Sequence, residues 1–206
     1  MSVAEPQFSL SYHEFIDRRH FLKEELLAFA YGNLVKDPPK EGIATLPRPP
    51  FLMFDRIIDI ERQGRSGTMI AEQDVSVDGW YFQCHFGNDP VQPGCLGVDA
   101  LWQLLGFYCA CNGAKGSGRA LGAGAIEFLG QIRPFDKIVR YELTIKRFTF
   151  LKETGAAIVI ADGKVFVDHV EIYTAEKLKV GVFRDIAYDN YPNPHHRYAR
   201  GGLLER

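Results

Sequence analysis

Several features are scarce in this chain of 206 residues. Lysine and arginine number 24 against 26 aspartates and glutamates, a formal net charge of −2. Without a basic excess there is no electrostatic footprint for nucleic acid. The four cysteines, Cys84, Cys95, Cys109 and Cys111, form no C-x-x-C pair. So few do not make a disulfide scaffold, and they read as reduced thiols of a cytoplasmic protein. No stretch approaches the run of about 18 apolar residues that a membrane helix needs. The opening Met1-Ser-Val-Ala-Glu-Pro6 lacks the basic and apolar blocks of a secretory signal. Gly113–Gly124 is rich in glycine but holds no G-x-x-x-x-G-K-[ST] phosphate loop.

What is present is core-forming. Apolar residues make up 46% of the chain and aromatics 13%, which excludes disorder of the whole and allows one sizeable core. Ser11 and Glu14 fit a capping box, and Phe15, Leu22, Leu26 and Phe29 follow at helical spacing up to a stop at Gly32. Five prolines between residues 36 and 50 forbid a helix or central strand there and predict an extended connector. Strands are predicted at Phe51–Glu61, Ser66–Ser76, Tyr81–His85, Arg119–Ile132, Lys137–Phe150, Gly155–Ala161 and Lys164–Leu178, with Asp162-Gly163 as a hairpin turn. In Lys137–Phe150 the apolar alternation loses phase at Arg147-Phe148, as at a bulge. Leu96–Cys111 is apolar nearly all round and so reads as a buried helix. The predicted fold is α+β, a curved antiparallel sheet wrapped around a long central buried helix. The expected division is 1–50, an N-terminal helix and proline-rich connector; 51–183, the main domain; and 184–206, a tail with little to bury.

The chemistry concentrates between Cys84 and Gln103. Pro93-Gly94-Cys95 opens the buried helix, where amides lack internal partners and the macrodipole is positive. Gly94 lets a carbonyl approach, so this is a candidate oxyanion site. Asp99 lies in an apolar helix with no basic residue within a turn, so desolvation favours its neutral, proton-donating form. Gln103, four residues on, shares its face and can orient it. His85 offers an imidazole just before the helix. A base, an acid and an oxyanion donor are what elimination of water from a 3-hydroxyacyl thioester requires. Each group also has a plainer reading: His85 as a satisfied structural histidine, Asp99 as a buried acceptor, Cys95 as a thiolate nucleophile, or Cys84, His85, Cys95 and Asp99 as metal ligands. Their spacing fits no standard zinc pattern.

The run Cys84–Tyr108 closely resembles the bacterial 3-hydroxydecanoyl-[acyl-carrier-protein] dehydratases, of the hot-dog fold. The likeness extends through Leu52-Met-Phe-Asp-Arg56, Gly118–Gly122, Phe128-Leu-Gly-Gln131, Ala161-Asp-Gly163, Val167-Asp168, Ile172–Ala175 and Leu178–Gly181. The resemblance implies His85 and Asp99 as catalytic residues, the acid acting across a homodimer with composite sites. It implies Gly94 and Cys95 around the thioester, the Val91 carbonyl fixing the His85 tautomer, and Gln103 supporting Asp99. Isomerisation of trans-2-enoyl to cis-3-enoyl thioesters is implied as well, as is an acyl carrier protein with a phosphopantetheine-linked chain. Phe82, Phe86, Trp102 and Phe107 are candidates to line an acyl tunnel. Arg133, Lys137, Arg140, Lys146, Arg147 and Lys152 are candidates to dock the carrier. Leu151-Lys152 and Glu127 stand where the family carries more basic residues, which thins that surface. No cofactor, metal, nucleic acid or membrane is implied. A hot-dog thioesterase and a non-catalytic acyl-binding module are the alternatives.

Overall fold

The structure is a computed structural model that describes residues 9–151 and 156–184. Two short helices lead, α1 (Tyr12–Asp17) and α2 (Lys23–Ala30). The predicted capping box forms: Ser11 Oγ accepts from the Glu14 amide, and the Glu14 carboxylate accepts from the Ser11 amide. The single predicted helix is interrupted, however. Arg18 turns extended, and Phe21 pairs with Ile57 through both backbone bonds (3.1 and 2.9 Å). Phe21 therefore enters the core, and Leu22 is left exposed at the start of α2. A bond to a distant strand here overrides local helical spacing.

Among the described residues seven strands make one antiparallel sheet: β1 (Arg56–Gln63), β2 (Ser66–Asp74), β3 (Ser117–Gly122), β4 (Ile126–Phe128), β5 (Ile138–Leu151), β6 (Ala156–Val167) and β7 (Val170–Phe183). The spatial order is β1-β2-β5-β6-β7-β3, and β4 also pairs with β7. The predicted strand Arg119–Ile132 is thus two short ones laid along β7. In β5, Val139, Tyr141, Leu143 and Ile145 face the core as the alternation requires, and the register shifts between Ile145 and Arg147.

The hairpin between β6 and β7 is not at Asp162-Gly163. β6 runs through that pair, and the turn is Asp168-His169, both residues in the left-handed region (φ 45° and 76°). Two successive positive φ values suit a two-residue hairpin, and aspartate tolerates that region. The Asp168 carboxylate also accepts the Ile138 amide at 2.9 Å. Gly163 is glycine for another reason: a Cβ there would lie 2.8 Å from Leu101 Cδ1 of the central helix. Tyr81–His85 is likewise no strand, since Trp80–Gln83 forms a 3₁₀ turn. Neighbours Tyr81 and Phe82 are both buried, which a helical turn permits and strand alternation forbids.

The central helix α3 (Gly94–Cys111) packs on β2, β3, β5, β6 and β7 and on α1. This is the hot-dog arrangement, a curved antiparallel sheet around one long helix. By length and mean hydropathy α3 does meet the requirement for a membrane span, contrary to the expectation above, but 72% of it is buried inside this fold. Its Phe107 ring lies 5.0 Å from those of Phe21 and Phe29 and 5.8 Å from that of Phe15, centre to centre. The N-terminal helices thus share one core with the sheet. Phe107→Ala is expected to lower the unfolding free energy by about 3–5 kcal/mol, read as a shifted urea midpoint, because it leaves a void among three buried rings.

Candidate active site

His85 follows the 3₁₀ turn. Its amide donates to Tyr81 O (2.9 Å), and its carbonyl accepts the Val91 amide (2.8 Å). The side chain is tied to the same residue: His85 Nδ1 lies 3.0 Å from the Val91 carbonyl oxygen. A carbonyl can only accept, so Nδ1 carries the hydrogen and Nε2 of the neutral ring is the bare, basic nitrogen. Phe86, joined to His85 by a cis peptide bond, stacks on the imidazole with centroids 3.9 Å apart. The residues implied for the tautomer and the base are thus in contact.

His85 opens onto a cleft of about 710 Å³ whose walls include Phe86, Val91, Gln92, Gly94, Cys95, Val98, Trp102, Ile126, Phe128, Leu129 and Tyr173. Gly94 and Cys95 begin α3 here. The first amide of the helix with a near acceptor is that of Leu96, which donates to Pro93 O at 2.9 Å. Those of Gly94 and Cys95 precede it at the positive end of the helix dipole. A Cβ at position 94 would lie 2.6 Å from Phe128 Cε1, so any larger residue would have to push that ring aside. That ring meets Tyr173 edge-on at 4.8 Å, and burial pushes the Tyr173 hydroxyl up to about 12. The wall from β4 and β7 went unassigned in the sequence. Its sign in the sequence was the family likeness at Phe128-Leu-Gly-Gln131, to which no role was attached.

Asp99 is not in that cleft. It opens with Gln103 onto a smaller depression of about 210 Å³ beside Leu46, Phe51, Gly106 and Arg119. Trp102 lines both spaces, and its Nε1 donates to Gly122 O at 3.3 Å. A single copy therefore opens the imidazole and the carboxyl onto different spaces, both of which Trp102 lines. Gln103 Nε2 donates to Asp99 Oδ2 (2.6 Å) and to Phe51 O (2.8 Å), while its Oε1 accepts the Met53 amide (3.1 Å). Burial raises the Asp99 carboxyl above its ordinary value, and the weaker opposing influence is the bond from Gln103.

The other candidates are scattered. Phe86 and Trp102 line the cleft, but Phe107 sits in the aromatic cluster with the N-terminal helices. Phe82 packs edge-on against Tyr81. Neither lines the cleft, because each is held in the core by other rings. Among the proposed docking cations, Arg133 pairs with Asp89, Arg140 with Glu72 and Glu142, and Lys146 with Asp162. Arg147 donates to Thr149 Oγ1, and Lys137 lines a separate depression with Asp168 and His169. Much of that charge is already neutralised within the chain. Lys152 lies outside the described residues.

Residues 46–176, which contain His85, Gly94, Asp99 and Gln103, match the family model described as FabA-like domain. Among solved structures, the chain is similar to the dehydratase heterocomplex ApeI:P from Xenorhabdus doucetiae. That match has 11% identity, covers 68% of this chain and 86% of the other, and has a TM-score of 0.48. It is also similar to a hypothetical thioesterase with coenzyme A from Streptococcus pneumoniae. There the identity is 15%, the coverage 61% and 84%, and the TM-score 0.39.

The raised carboxyl has a consequence for stability. Unfolded, Asp99 ionises near its ordinary value of 3.8; folded, it ionises higher. Between the two values the native state binds more protons than the unfolded chain, so stability falls as pH rises through that window. Above the native value the loss is complete and constant. Asp99→Asn cannot ionise, so it is expected to gain stability relative to wild type as pH rises through the window and to hold that gain above it. Urea denaturation of both proteins from the acid to the neutral range checks this, and a constant difference would contradict it.

Proposed function

The chain belongs to the FabA-like domain family, and we propose that it eliminates water from 3-hydroxyacyl thioesters to give trans-2-enoyl thioesters. The observation that carries this reading is the His85–Val91 bond, which leaves Nε2 as a base in the same cleft as the first amides of α3. In this mechanism His85 Nε2 removes a proton from Cα of the substrate. The electron pair moves toward the thioester carbonyl, whose oxygen gathers negative charge against the Gly94 amide. As the Cα–Cβ double bond forms, the Cβ–O bond breaks, and the protonated form of Asp99, which burial favours, gives its proton to the departing hydroxyl, which leaves as water. Solvent exchange returns the proton from imidazolium to carboxylate.

Since His85 and Asp99 open onto different spaces of one copy, we assign the acid to a second copy in a homodimer. The exposed Phe86, Phe128 and Leu129 around the His85 cleft support its being covered in this way. The substrate thiol in this proposal is the phosphopantetheine of an acyl carrier protein. The same base, by taking a proton from Cγ of the enoyl product and returning one to Cα, would isomerise it to the cis-3 form.

His85→Ala and Asp99→Asn are each expected to lower the dehydration rate by about 10²–10⁴-fold with an unchanged circular dichroism spectrum. Near wild-type rates in both would overturn the reading. The composite arrangement has its own test. Mixed dimers of the two variants carry one site with both residues intact, so co-refolding the inactive proteins is expected to restore partial activity. Sites built within one copy would stay inactive. Proton NMR of the products reports trans-2 and cis-3 chains separately.

A further inference from the structure

Tyr173 stands on β7, and its ring packs against the first turn of α3. The residue is only 2% exposed. A buried phenol ordinarily bonds its hydroxyl to something, because the ring brings a polar tip into an apolar place. Among the described residues the Tyr173 hydroxyl has no hydrogen-bond partner, yet its oxygen is not one of the fully enclosed, unpartnered side-chain atoms there. The space left open to it is the cleft that Tyr173 lines. Two titratable neighbours act on it or feel it through charge, the Cys95 thiol and the Tyr141 hydroxyl, and neither bonds it. Tyr141 instead gives its proton to Gln73 Oε1 at 2.8 Å.

Packing places the hydroxyl at one end of the cleft. A Cβ at Gly97 would lie 2.6 Å from Tyr173 Cε2 and 3.8 Å from Cζ, the carbon that bears the hydroxyl. Gly97 and Gly94 are one turn apart on the same face of α3, and the Cα–Cβ bonds of a helix tilt toward its N-terminus. The phenol therefore lies on the Gly94 side of Gly97. Phe128, whose ring is 4.8 Å from that of Tyr173, is also the ring that lies against Gly94. We infer that Tyr173 is a further catalytic residue, whose hydroxyl donates to the thioester carbonyl oxygen beside the Gly94 amide and completes a two-donor site for the charge that gathers there. This inference rests on reading the cleft as a thioester site. Burial, with a smaller push from Cys95, keeps the hydroxyl protonated at neutral pH, so it is available as a donor. No proton leaves it. Its bond to the oxygen strengthens as His85 takes the Cα proton and relaxes once the double bond has formed. In a wall otherwise built from Val98, Trp102, Ile126 and Phe128, such a fixed dipole acts with little screening by water.

Tyr173→Phe removes the hydroxyl and keeps the ring that packs over Gly97. The first readout is a spectrum, so that it stands apart from turnover. The probe is octanoyl pantetheine labelled with ¹³C at its carbonyl, which has no 3-hydroxyl to lose. Isotope-edited infrared spectroscopy of the full chain is expected to show the bound C=O band at lower frequency in the wild type than in Tyr173→Phe, because each donor weakens that bond. The second readout is turnover of a 3-hydroxyacyl pantetheine thioester. Its kcat is expected to fall about 10²-fold in the variant while KM stays within about threefold. A tyrosine that only fills space would move neither the band nor this split. The inference is overturned if the substitution leaves the band in place, whatever the rate does. It is also overturned if kcat stays within about threefold of wild type. Should the variant not fold, the wild type decides alone, and a bound band no lower than that of the probe in water overturns the inference. A band that depends on Tyr173 in a protein that forms no enoyl thioester would support the carbonyl contact and overturn the dehydratase reading instead.

Discussion

A helix that is apolar on nearly every face can exist in water only if something packs on every side of it. α3 imposes that demand, and the rest of the chain is arranged to meet it. The sheet curls around it, close enough that Gly163 must lack a side chain opposite Leu101. Phe15 and Phe29 of the N-terminal helices, and Phe21 between them, close over Phe107. Burying each such ring contributes about 1.5–3 kcal/mol. Where the enclosure is incomplete, the candidate chemistry lies: at the helix's first amides, and along the Asp99–Gln103 edge.

Features governed by near neighbours were legible in the sequence. The Ser11–Glu14 box, the alternation in β5, the slip near Arg147 and the helix opening at Gly94 each depend on a few adjacent residues. The failures came where a distant partner decides. Phe21 rather than Leu22 is buried because Ile57 claims its backbone. Asp162-Gly163 reads as a turn, but its glycine answers to Leu101 and its aspartate accepts the Lys177 amide at 3.0 Å.

The candidate site divides along the same line. Asp99 and Gln103 were readable as a pair because four residues on a helix are one turn, and their 2.6 Å bond follows from that spacing. The His85–Val91 contact rested on the family resemblance. Gln92 was not readable at all. A glutamine between Val91 and Pro93 looks like a solvated loop residue, and only the approach of β5 through Tyr141 shows it to be enclosed. Phe107 was misjudged in the opposite sense, since a large ring one turn from Gln103 looks like tunnel wall until the N-terminal phenylalanines are seen around it.

The residues just after the connector settle something finer. The Gln103 carboxamide cannot flip, because the Met53 N–H needs its oxygen and the Phe51 carbonyl needs its nitrogen. Its NH₂ group is therefore always the part that meets Asp99 Oδ2, which favours that oxygen, the better acceptor, as the unprotonated one. When Asp99 is neutral its hydrogen rests on Oδ1. Two backbone groups just beyond a proline-rich segment thereby make the two oxygens of a remote acid inequivalent, and they fix the direction in which it can donate.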